Sequence, residues 1–176
     1  MISNKNLVFL GMMGSGKSSI GNLVSKKLDL PFIDIDNLII QNTGMSISEI
    51  FSKKGQNYFR NLEEKITLKS LKKVRNVISL GGGGFINDKI RKETLSNHFS
   101  FWLNWDESIL VKRIQDSKKR PLAFNSTIQE IRALIKNRSK IYTNAQFKIN
   151  CNKLTKAEIV KKIIKIYEIN QTIRKN

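Results

Sequence analysis

The chain has 176 residues, enough for one ordinary domain and too few for two. A 40% share of apolar residues, ten glycines and two prolines exclude a disordered or collagen-like chain. Lysine and arginine total 32 against 14 acidic residues, a net charge of +18, which first suggests a nucleic acid, an anionic membrane surface or a phosphorylated ligand. Of those 32 cations 24 are lysine, so a composition-wide Lys/Asn/Ile bias accounts for much of the excess. One cysteine, Cys151, rules out an internal disulfide and a thiolate metal cluster. The early apolar run Leu7–Leu10 is too short for a signal-peptide core or a membrane span. The sole histidine, His98, has no catalytic motif around it and is expected to be structural.

Apolar runs alternate with helical patterns, the signature of an α/β protein with a parallel sheet. Residues 6–10 predict a buried strand, followed by a glycine loop and a helix with Ile20, Leu23, Val24 and Leu28 on one face. Residues 31–35 predict a second strand. Ser46 and Glu49 have capping-box spacing and open a short helix, and a longer one spans about Tyr58 to Lys73. Residues 76–80 predict a strand ended by four glycines, and 99–103 another. A helix follows from Asp106 to Asp116, then a polar basic loop over 117–126. Thr127 and Glu130 cap a helix to about Tyr142, residues 146–150 form a last strand, and Thr155 and Glu158 cap a final helix.

Gly11-Met12-Met13-Gly14-Ser15-Gly16-Lys17-Ser18 fits G-x-x-x-x-G-K-[ST]. Its glycines let successive backbone N–H groups turn toward phosphate oxygens, and the following helix adds its dipole. Lys17 is expected at the β- and γ-phosphates and the Ser18 hydroxyl on Mg²⁺. Strand geometry would put Asp34 and Asp36 on one face, a costly pair without a cation or ligand. A Mg²⁺-linked Asp34 and a substrate hydroxyl on Asp36 would satisfy both, and Asp36 could also take the proton of an attacking alcohol. The alternative is an exposed turn or helix cap.

On the helix from Tyr58, Glu63 falls inside the apolar stripe of Phe59, Leu62 and Ile66, and Arg60 lies at its edge. The i, i+3 spacing allows the two to pair, either as a structural salt bridge or to aim Arg60 at a carboxylate. Arg138 likewise continues the stripe of Ile131, Leu134 and Ile135. Gly81–Gly84 follow a strand end, where open α/β sheets bind ligands. In the basic loop, Arg120 precedes Pro121, which biases it away from helix; a mobile cation there can close over a phosphoryl group. Arg113 is a weaker candidate, for stacking on a base.

These segments together resemble shikimate kinase: GMMGSGKSSIG at 11–21, FIDIDNLI at 32–39, G-x-x-x-F-R-x-x-E at 55–63, SLGGG at 79–83, RPL at 120–122 and R-x-x-x-Y-x-x-A at 138–145. The resemblance covers nearly the whole chain. It implies a P-loop, nucleoside-monophosphate-kinase-like three-layer α/β fold with a central parallel sheet, forming one kinase domain over 1–176. A lid at about 117–126 and a substrate-binding helical region at about 36–63 belong to it. The implied reaction moves the ATP γ-phosphate to the 3-hydroxyl of shikimate, on the route to chorismate and aromatic amino acids. Gly14, Ser15, Gly16, Lys17, Ser18, Ser19, Arg113 and Arg120 would serve the nucleotide, with Ser18 and Asp34 at Mg²⁺. Asp36, Arg60, Gly82, Gly83 and Arg138 would hold shikimate, with Glu63 bracing Arg60. Lys17, Asp36 and Arg120 would be catalytic. Lys140 departs from a proline common in the family, and 151–154 lack the proline common in its adenine-flanking loop. A monomeric cytoplasmic enzyme is expected, with ATP and shikimate as ligands and neither nucleic acid nor membrane as partner. The rivals are a gluconate or nucleoside monophosphate kinase and, from another class, a basic nucleic-acid-binding P-loop protein. The latter needs exposed aromatics interleaved with cations, whereas Phe9, Phe32, Phe51, Phe101 and Trp102 fall in core patterns.

Overall fold

The computed structural model describes residues 3–116 and 126–172. Five strands form one parallel sheet: β1 (Leu7–Leu10), β2 (Phe32–Asp34), β3 (Val77–Ser79), β4 (Phe99–Asn104) and β5 (Phe147–Asn150), in the order β2-β3-β1-β4-β5. The register sets Leu7 beside Val77 and Phe99, and Leu10 beside Trp102. Asp34 lies opposite Ser79, and Asn104 opposite Asn150. Because every strand runs the same way, all five carboxyl ends meet along one edge of the sheet.

Strand periodicity sorts the core into two layers. Val8, Leu10, Ile78, Leu80 and Trp102 face α2 (Ile35–Thr43), α3 (Ile47–Leu71), α4 (Asp88–Asn97), α5 (Glu107–Gln115) and α6 (Ile128–Tyr142). Leu7, Phe9, Val77, Phe99, Phe101 and Leu103 face α1 (Lys17–Leu28) and α7 (Lys156–Thr172). Burial on both sides explains why β1 is an unbroken apolar run. Emptying one fully buried site, as in Phe101→Ala, would cost about 3–5 kcal/mol.

The boxes at Ser46/Glu49 and Thr127/Glu130 form as expected, and Thr155 and Glu158 exchange the same bonds at the start of α7. The two helices expected around 46–73 meet as one run broken at Gly55, whose φ of 83° is not helical. His98 is buried, with Nδ1 accepting from the Asn6 backbone N–H at 3.4 Å, and is structural as expected.

Three expectations are corrected. The second strand ends at Asp34 rather than 35, because the Asp34 carboxylate accepts from Asn37 N–H and starts α2. Asp34 and Asp36 therefore do not share a strand face: one is a helix N-cap, the other lies in the first helical turn. The sequence pattern does not predict helix α4, since its residues DKIRKETLSN are largely polar and bury only Ile90 and Thr94. Leu23, expected inward on α1, is 38% exposed. The lid expected at about 117–126, with Arg120, lies outside the described residues except for Ser126.

Candidate active site

The site begins where β1 ends. The loop from Gly11 to Gly16 turns back on itself, with Gly14 and Gly16 at φ 78° and 87°. Gly16 is the N-cap of α1, so the loop delivers a helix N-terminus with Ser18 and Ser19 exposed on its first turn. Lys17 is 7% exposed and bends back, its ammonium donating to the carbonyls of Gly11 at 2.9 Å and Met12 at 3.0 Å. The Ser15 hydroxyl is buried in the same loop with no hydrogen-bond partner. Two residues of the β4 side brace the loop. Trp105 Nε1 donates to Ser15 O at 2.9 Å, and Arg113 Nη1 approaches Gly14 O at 3.4 Å.

On the β3 side the site is made of side chains. Arg60 Nη1 donates to Glu63 Oε2 at 2.6 Å. The carboxylate is 2% exposed and the guanidinium 29%. Burial raises the Glu63 pKa, opposed by the Arg60 charge and hydrogen bond and assisted by Asp36. The glycine run lies directly on this pair. A Cβ at Gly83 would sit 2.6 Å from Arg60 Nη1, and one at Gly81 would collide with Glu63 Oε1 and approach Asp36 Oδ1 to 2.8 Å. Only glycine leaves room there for a guanidinium and two carboxylates. Gly82 lies against the Met13 backbone, so the run also abuts the phosphate loop.

Arg138, 9% exposed, reaches in from α6 and donates to Gly82 O at 3.2 Å. Tyr142, one turn further on, donates its hydroxyl to the same carbonyl. Burial lowers the Arg138 pKa and pushes the Tyr142 phenol up to about 12. At ordinary pH the phenol is therefore a neutral donor.

Of the expected residues, Asp36, Arg60, Glu63, Gly82, Gly83 and Arg138 converge beside the loop holding Lys17 and Ser18. Arg113 lies on the opposite side, and Asp34 stands half-buried at the end of β2. Sequence reasoning gave no role to Tyr142 or Trp105. Tyr142 follows Arg138 by four residues, a same-face spacing that marks it. Trp105 directly follows a strand, at the edge where ligands bind.

A buried loop lysine, a helix N-terminus behind it and a polar crevice across the loop define a P-loop phosphotransferase of the small-molecule kinase class. The shikimate kinase family model matches residues 13–168. The chain is 41% identical to a shikimate kinase of Thermodesulfovibrio yellowstonii, over 93% of this chain and 95% of that one. The shikimate kinase of Acinetobacter baumannii, solved in complex with shikimate, superposes with a TM-score of 0.89 at 26% identity, covering 95% and 94% of the two chains. That of Aquifex aeolicus gives 0.84 at 36% identity, covering 94% and 97%. The chain belongs to the shikimate kinase family.

Proposed function

We propose that this chain transfers the γ-phosphate of ATP to the 3-hydroxyl of shikimate, yielding shikimate 3-phosphate and ADP. The observation that carries the reading is the placement of Arg60, Glu63, Arg138 and the Gly82–Gly83 backbone against the phosphate loop. Shikimate is a small hydroxy-carboxylate. Arg60 and Arg138 suit its carboxylate, and Glu63 fixes the Arg60 fork. Asp36, near Glu63 and Gly81, suits a ring hydroxyl and holds the proton of the attacking alcohol or orients it.

At the other end, the amides of Gly14–Ser19 and the helix N-terminus take the phosphates. Lys17 exchanges its two carbonyl partners for phosphate oxygens where charge builds up. Arg113 lies toward the base. The oxygen donors here, a serine hydroxyl and an aspartate carboxylate, are of the hard kind that suits Mg²⁺. Mg²⁺ is typically held through one or two protein oxygens and the nucleotide phosphates, and the exposed Ser18 hydroxyl and the Asp34 carboxylate at the end of β2 are the oxygens that would hold it. When bound, the ion supplies charge neutralisation on the phosphates. The loop at 117–126 is taken as the lid, with Arg120 for the transferring group, and residues 1–176 as one kinase domain. We take the enzyme to be monomeric and cytoplasmic, with no nucleic-acid or membrane partner. Among the described residues no helix is long and apolar enough to cross a membrane.

A coupled assay of ADP release with Mg²⁺, offering shikimate, gluconate and AMP in parallel, tests the reading. Turnover with shikimate alone is expected. Turnover with gluconate or AMP, and none at millimolar shikimate, would replace it by one of the rival kinases. Steeply salt-dependent RNA or DNA binding at physiological ionic strength would bring back the nucleic-acid reading.

A further inference from the structure

We infer that Trp105 is a positioning residue for the nucleotide, holding the phosphate loop and Arg113 in one unit through its indole. The Arg113 guanidinium carbon sits over the Trp105 ring, 3.9 Å from its centroid, well inside cation–π range. The same indole donates its N–H to Ser15 O at 2.9 Å. Arg113 in turn reaches Gly14 O at 3.4 Å. Two adjacent carbonyls of the loop are thus held by two side chains that are themselves stacked.

The indole is fixed from both sides of its own backbone. Asn104 O accepts from Cys151 N–H at 2.9 Å, and Asp106 N–H donates to Asn152 Oδ1 at 2.9 Å. Asn152 Nδ2 returns a bond to Asp106 Oδ1 at 2.6 Å. Trp105 also packs against both core layers, so its ring cannot turn away without disturbing them. A half-buried aromatic with one polar edge is suited to this double task.

The consequence is chemical. A loop binds phosphate through N–H groups that point inward only if its carbonyls point elsewhere. Anchoring Gly14 O and Ser15 O from outside holds that peptide orientation before the ligand arrives. A guanidinium has two faces; Trp105 covers one, and the half-buried Arg113 keeps the other for the base. The ordering cost of Arg113 is met during folding rather than during binding.

The inference rests on nucleotide binding at this loop, and the experiment separates the two. ADP and shikimate affinities are measured by calorimetry for the wild type, Trp105→Phe, Trp105→Leu, Arg113→Ala and the Trp105→Leu/Arg113→Ala pair. Trp105→Leu loses both contacts and should weaken ADP binding about tenfold, the scale of one cation–π contact plus one hydrogen bond. Trp105→Phe keeps a ring under Arg113 and should recover part of that loss. Shikimate affinity should stay within about twofold of wild type. The pair should bind ADP less weakly than the product of the single effects, because both variants break one shared unit. Unchanged ADP affinity in Trp105→Phe and Trp105→Leu overturns the inference. So does a parallel loss of ADP and shikimate affinity, or strict additivity in the pair. Failure of the wild type itself to bind ADP overturns the proposed function instead.

Discussion

The two ends of the crevice are built from different materials. The phosphate end is a contiguous stretch of backbone, Gly11 to Ser18, whose shape comes from glycine torsions and whose one charged side chain, Lys17, folds back onto it. The acceptor end has almost no shape of its own in sequence. It is assembled from α3, the glycine run after β3, and α6, with Arg60 and Arg138 separated by 78 positions. A backbone-built site tolerates any ligand with phosphate oxygens. A side-chain-built site chooses among acceptors, since each charge must find its counterpart. On the proposed reading, kinase generality sits in the first and acceptor choice in the second.

Variants that strike one end and spare the other test this division. Lys17→Ala should have the largest effect, lowering kcat by about 10²–10³-fold with shikimate affinity nearly unchanged, as read by steady-state kinetics and calorimetry. Comparable damage to shikimate binding would mean the ends are not separable. Arg60→Ala should weaken shikimate binding about 10²-fold while ADP binds normally, because the loss also leaves Glu63 buried without its partner. Unaltered shikimate affinity would remove Arg60 from the carboxylate site.

The smallest effect is a pH dependence confined to the acceptor end. Burial raises the Glu63 pKa above its ordinary 4.5. The folded chain therefore holds this proton to higher pH than the unfolded chain, and unfolding in that window releases it. Stability contributed by this group is complete below about pH 4.5 and declines as pH rises through the folded pKa. The slope is at most about 1.4 kcal/mol per pH unit. Glu63→Gln should flatten it in denaturant titrations run across that range. An identical slope in the variant would assign the dependence to another group.

The same contrast explains what was legible in sequence. The phosphate loop, the five strands and the capping boxes at Ser46, Thr127 and Thr155 are local, and local patterns carry them. Glu63 and Arg138 were visible as charges interrupting apolar stripes. The shared Gly82 carbonyl of Arg138 and Tyr142 was not, because it depends on how α6 approaches the end of β3. Asp34 misled for a related reason. Strand and N-cap both favour an extended backbone, and only the bond to Asn37 N–H separates them. Helix α4 escaped because a helix burying only Ile90 and Thr94 has too narrow an apolar stripe to register.

The strand order has one more consequence. With β1 between β3 and β4, the segment leaving β1 forms a sill, with the segment after β3 on one bank and the segment after β4 on the other. Donor and acceptor on the proposed reading approach from opposite banks and meet above the sill. An in-line displacement needs the incoming and departing oxygens on opposite sides of phosphorus. On that reading, the order in which five strands were laid down sets the line along which the phosphoryl group passes.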